Sequence, residues 1–220
     1  MKYRSVFDII GPVMVGPSSS HTAGAVRIGQ LARRLFGRQP QHALIRFYGS
    51  FARTYRGHAT DVAVVAGLLD LDTDDPRIPD ALNLAAQQGM EVAFSPEQAV
   101  PTHPNTVGMV LTAGDTSFQV VGVSLGGGLV QITEVDGFSL RLSGESPALL
   151  IFHRDAYGAV ASVTQLLAGQ RVNINHMEVS RSDRGKLALM VIETDERVEP
   201  DLLRLIGRQQ HITKVVTLNT

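Results

Sequence analysis

A chain of 220 residues, 44% hydrophobic and 19% charged, can form one large domain or two small ones, each with its own core. Its net charge of −1 and the lack of a basic stripe argue against nucleic-acid binding. With no cysteine, the chain itself cannot form a disulfide, a thiol nucleophile or a thiolate-held metal cluster, and the composition suits a cytoplasmic protein.

The first apolar stretch, Val6-Phe7-Asp8-Ile9-Ile10, is broken by Asp8 and followed by Gly11-Pro12. It lacks a signal-peptide pattern, and no apolar run reaches membrane-spanning length, so no membrane association is expected. After Pro17 and a polar run, Ala25, Ile28, Leu31, Ala32 and Leu35 recur at helical spacing until Gly37. Residues 43–49 read as a strand, 59–69 as a second helix with Val62, Val65, Ala66 and Leu69 on one face, and 80–88 as a third. Residues 107–143 alternate β-rich runs with turns at Ala113-Gly114-Asp115 and Val135-Asp136-Gly137. The predicted class of this first part is α+β.

Ser143-Gly144-Glu145-Ser146-Pro147 reads as a linker. Beyond it the expected order is strand 149–153, helix 158–168, strand 172–179, strand 187–194, helix 200–208 and strand 214–218. This βαββαβ order is a ferredoxin-like arrangement, with Pro200 in the first turn of its helix. The expected domains are residues 1–145 and 148–220.

Four local clusters could carry chemistry. Gly16-Pro17-Ser18-Ser19-Ser20-His21-Thr22-Ala23-Gly24 precedes a helix, where unpaired N–H groups and hydroxyls suit a carboxylate or phosphate. The same serines and Thr22 also read as plain helix caps, and the loop lacks the lysine of a nucleotide-binding P-loop. In Gly57-His58-Ala59-Thr60-Asp61, His58 is a candidate general base, with Asp61 able to orient its ring or merely to favour a helix start. His103-Pro104-Asn105-Thr106 is held out of helix by its prolines and reads as a polar contact or a connector. Gly126-Gly127-Gly128 suggests a bend or close backbone approach. No histidine pair has the helical spacing of a zinc motif, so no metal site is expected within the chain.

Taken in order, VFDIIG at 6–11, GPSSSHTAG at 16–24, YGS at 48–50, GHATD at 57–61, HPNT at 103–106 and the triple glycine resemble the β-type portion of bacterial iron–sulfur L-serine dehydratases. Residues 148–220 resemble the ACT domain of the two-chain version of these enzymes. The third motif departs from the His-x-Asn-Gly-Met of many relatives, because Asn105 is followed by Thr106-Val107-Gly108-Met109.

The resemblance implies an α+β fold whose first domain is like the allosteric substrate-binding domain of some phosphoglycerate dehydrogenases. It implies conversion of L-serine to pyruvate and ammonia, with a [4Fe–4S] cluster as Lewis acid on the substrate hydroxyl. That cluster would be held by a cysteine-containing α subunit, and the ACT domain would pair with another copy. His58 is then the expected base and Asp61 its orienter. His21, the competing candidate for the catalytic base, and the hydroxyls of Ser18, Ser19, Ser20 and Thr22 would position the carboxylate or the partner's cluster region, with His103 and Asn105 as further polar contacts. Two rival readings are an amino-acid-sensing regulatory protein without a catalytic role and a Ser/His hydrolase, although no Gly-x-Ser-x-Gly elbow is present.

Overall fold

The computed structural model describes residues 13–219, so the motif at residues 6–11 lies outside the described part. The helical spacing after the serine run yields α1 (Gly24–Phe36), entered through a single π-helical turn, Ser19–Ala23. Ala25, Ile28, Leu31, Ala32 and Leu35 are all buried. Strand β1 (His42–Tyr48) passes directly into a short helix, α2 (Gly49–Thr54). Sequence reading does not anticipate α2. It is a single polar segment, GSFART, anchored by one buried side chain, Phe51.

Helix α3 (Thr60–Leu68) is buried from Ala63 to Leu68, while Val62 is half-exposed. It is therefore enclosed on all sides rather than carrying the one apolar face that its spacing predicts. Helix α4 (Ala81–Gln87) precedes β2 (Glu91–Pro96), a strand absent from the predicted elements. The β-rich stretch forms β3 (Asn105–Ala113), β4 (Thr116–Gly126) and β5 (Leu129–Val135).

Close contacts divide the chain into two units. One comprises the residues up to Asp136 with Arg141–Ser143, and the other Gly137–Leu140 with the residues from Gly144 onward. In the first unit the strands run in the order β2-β1-β3-β4-β5. Strand β6 (Phe138–Leu142) follows β5 in the chain. β1 pairs in parallel with β2 and antiparallel with β3, and β3, β4 and β5 form an antiparallel meander.

The second unit contains β7 (Ala148–Arg154), α5 (Ala159–Gly169), β8 (Ile174–Arg181), β9 (Leu187–Thr194), α6 (Pro200–Gly207) and β10 (Ile212–Leu218). Its antiparallel sheet runs β10-β7-β9-β8. Leu149, Ile151, Met190 and Ile192 on the central strands pack with Val163 and Leu167 of α5 and Leu202 and Ile206 of α6. The expected βαββαβ ferredoxin-like architecture is present, and Pro200 opens α6.

Candidate functional site

The site grows from the way the chain enters α1. Ser18 is the cap: its backbone is extended, and its Oγ accepts the backbone N–H of His21 at 3.2 Å. The Ser18 carbonyl accepts the N–H groups of Thr22 and Ala23, at 2.8 and 3.3 Å. One serine thus satisfies several of the donors left free at a helix start. Thr22 is not a cap; it is buried, and its Oγ1 donates to the His58 carbonyl at 3.4 Å. Among the described residues, Ser19 Oγ and Ser20 Oγ form no hydrogen bond, and both residues are half-buried.

The capped turn directs His21 toward two other segments. Its Nε2 lies 3.2 Å from Ser50 Oγ, and its Nδ1 lies 3.5 Å from Ser18 Oγ. The Phe51 ring meets it edge-on at 5.1 Å between centroids, and the His58 ring is 4.9 Å away at a 41° tilt. The serine-rich motif and the GHATD motif therefore bring their histidines into one place.

His58 sits in the turn before α3. The next residue, Ala59, is the N-cap in the left-handed region at φ 53°, a conformation that an L side chain seldom adopts. Asp61 does not bond His58. Its Oδ1 accepts the N–H of Val62 at 2.9 Å, and among the described residues no hydrogen bond joins Asp61 to the imidazole.

The third motif reaches the same place through Gly49 and Ser50. The Ser50 N–H donates to the Pro104 carbonyl at 2.6 Å, and Gly49 bridges to Asn105. Gly49 has φ 57°, and a Cβ there would lie 2.6 Å from the Pro104 oxygen, so only glycine fits. His103 Nδ1 accepts the Asn105 N–H at 3.2 Å, which makes His103 a local brace of its own loop. The triple glycine forms the β4–β5 hairpin. Gly127 and Gly128 have φ of 62° and 83°, as a two-residue type I′ turn requires, and Arg27 of α1 donates to the Gly128 carbonyl at 2.9 Å.

Burial holds the His21 imidazole below the ordinary histidine value, and the neighbouring His58 pushes it the same way. His21 is thus set as a neutral, doubly hydrogen-bonded ring beside a second imidazole. Such a pair suits one proton acceptor and one polar contact. The donor set does not suit an iron–sulfur cluster: the chain has no cysteine, and among the described residues no group of three His, Asp or Glu side chains converges as ligands. Ser50, Phe51 and Arg27 are absent from the sequence-derived site. The signals for Ser50 are its place in the YGS motif and the Gly-Ser step directly after a strand.

In the second unit, Asn173 Nδ2 and Asn175 Nδ2 both donate to the Asp195 carboxylate, at 2.6 and 3.1 Å, which lowers its pKa. Asp155 accepts the Gly185 N–H at 2.9 Å and lies 3.5 Å from Arg181.

Residues 5–86 match the family described as "Serine dehydratase beta chain", and residues 148–209 match the ACT domain. The chain is 51% identical to a probable L-serine dehydratase beta chain of Bacillus subtilis over 99% of both lengths. It is 33% identical to the L-serine dehydratase beta chain of Peptoniphilus asaccharolyticus over 90% of both. A D-3-phosphoglycerate dehydrogenase of Bacillus subtilis is 22% identical over 87% of this chain and 36% of its own length. With more than half of all positions identical from end to end in the first of these, and the motifs around His21 and His58 within the matched segment, the chain belongs to the family of L-serine dehydratase beta chains.

Proposed function

We propose that this chain is the β subunit of an L-serine dehydratase that forms pyruvate and ammonia from L-serine together with a cysteine-containing α subunit. The observation that carries this reading is the 4.9 Å approach of His21 and His58, from two separate motifs, on one hydroxyl-rich surface. In this reading the [4Fe–4S] cluster belongs to the α subunit, and the steps assigned here use only this chain's own groups.

His58 takes the Cα proton. The C–H electron pair forms the Cα–Cβ double bond as the β-hydroxyl leaves, and the resulting aminoacrylate tautomerises to an imine and hydrolyses to pyruvate and ammonia. The second oxygen of Asp61 is the orienter of the His58 ring in the loaded site. His21, with the hydroxyls of Ser18, Ser19, Ser20 and Thr22, positions the substrate carboxylate. His103 and Asn105 shape the wall beside Ser50. The domains are residues 1–145 and 148–220, and the ACT domain pairs with a second copy through an edge strand of its sheet. The setting is the cytoplasm.

The test is anaerobic co-expression with candidate α chains. Serine-dependent pyruvate formation by the pair, and by neither chain alone, is the expected result. A purified pair that binds serine without turning it over would favour a regulatory sensor instead.

A further inference from the structure

We propose that Ser50 is the positioning residue of His21, fixing both the orientation of its ring and its tautomer. The YGS segment has no role in the reading above beyond its place in the chain. Yet Ser50 Oγ is the only described group within hydrogen-bonding distance of His21 Nε2, at 3.2 Å.

The backbone of Ser50 is clamped. Its N–H donates to the Pro104 carbonyl at 2.6 Å, and its carbonyl accepts Thr54 Oγ1 at 2.8 Å. Gly49, left-handed at φ 57°, is what allows the Pro104 carbonyl to come so near. The hydroxyl is thereby presented from a fixed base, and the HPNT loop acts on His21 through it.

The tautomer follows from the other end of the ring. Ser18 Oγ already accepts the His21 backbone N–H, so its own O–H is free to point at Nδ1, 3.5 Å away. With that O–H directed at Nδ1, the ring proton sits on Nε2 and Ser50 Oγ accepts it; the opposite tautomer would need Ser18 Oγ to accept a second N–H. With both nitrogens engaged, and Phe51 edge-on at 5.1 Å, His21 has one orientation against His58. The catalytic value of this arrangement rests on the reading of the site given above. The hydrogen bond itself does not.

The test is ¹⁵N NMR of histidine-labelled full chain, assigned with His21→Gln. In the wild type, His21 should show predominantly the Nε2–H tautomer. Ser50→Ala should shift that population toward the mixture of a free imidazole and change the His21 titration midpoint, with the thermal unfolding midpoint little altered. Ser50→Thr, which keeps the hydroxyl, should restore the wild-type pattern. If wild-type His21 is already a rapidly averaging mixture, or if Ser50→Ala leaves its ¹⁵N shifts unchanged, the proposal is overturned. The wild-type arm decides even if the alanine variant does not fold. In the enzyme assembled with its α chain, Ser50→Ala should raise KM about tenfold, the size of one lost hydrogen bond, with rescue by threonine. Failure of the kinetic arm alone, with the NMR arm intact, would count against the functional reading rather than the positioning role.

Discussion

Gly67 of α3 lies so close to Gly29 of α1 that a Cβ on Gly67 would come within 2.8 Å of the Gly29 Cα, and closer still to the Val26 carbonyl oxygen. A Cβ on Gly29 would meet the Val64 carbonyl oxygen in the same way. The two helices therefore cross backbone against backbone, which only glycine at both positions permits. His21 precedes α1 and His58 precedes α3, so this crossing also sets how near the two imidazoles come.

Gly67→Ala should consequently destabilise the chain, although alanine in an ordinary helix is favoured over glycine by about 1 kcal/mol. Overpacking of this kind typically costs about 1–3 kcal/mol. Urea unfolding should show a lowered midpoint with an unchanged slope. A midpoint at or above the wild-type value would mean that the crossing is looser than the structure shows.

The start of α1 gives a second packing test. A Cβ on Gly24 would lie 2.9 Å from Ser124 Cβ and nearer still to Ser124 Oγ, on a strand residue that is fully buried and whose hydroxyl has no hydrogen-bond partner among the described residues. Gly24→Ala should destabilise, and Ser124→Gly in the same chain should relieve part of the loss. The double-mutant cycle should give a coupling above about 0.5 kcal/mol. Strict additivity would contradict the contact.

Acid should weaken the fold through His21. Its folded pKa lies below the ordinary value of 6.5 because of burial first and His58 second. The unfolded chain then binds this proton more readily, so the contribution to stability is fully present above 6.5 and is lost as pH falls through the lower folded value. Urea midpoints should fall between about pH 7 and pH 5, and His21→Gln should flatten that dependence. An equal slope in both chains would show that His21 is not the group responsible.

Much of the fold is legible in the residues, and the reasons are local. Ala25, Ile28, Leu31, Ala32 and Leu35 declare α1 by spacing alone, and every one of them is buried. The βαββαβ order of the second unit follows from strands and helices long enough to show their periods. Helix α2 escaped because six residues with one buried phenylalanine carry no period, and β2 because it is an edge strand closing on Pro96. The site was legible as separate clusters but not as a constellation. Spacing left Asp61 either to orient the His58 ring or to favour the start of α3. In the structure Asp61 binds the N–H of Val62, and the neighbour of His58 is His21, supplied by a tertiary crossing that no local pattern encodes. Ser50 stands in the YGS motif, but its approach to His21 is tertiary in the same way.

The pure chain should hold no iron. It lacks any cysteine, and the function proposed above assigns the thiolate-held cluster to the α subunit. Anaerobic reconstitution with iron and sulfide should leave no cluster absorption after desalting. A stoichiometric, stable cluster on this chain alone would overturn the assignment of that group to the partner.

The most direct test is kinetic and concerns His58. Serine-dependent pyruvate formation should be measured for His58→Asn and His21→Asn, each assembled with wild-type α subunit and checked for equal cluster content. A positioned base contributes roughly 10²–10⁴-fold to breaking a C–H bond, so His58→Asn should lower kcat by that order with KM little changed, while His21→Asn should act mainly through KM. Near-normal kcat in the His58 variant would contradict the assignment and move the proton acceptor to His21 or to the partner subunit.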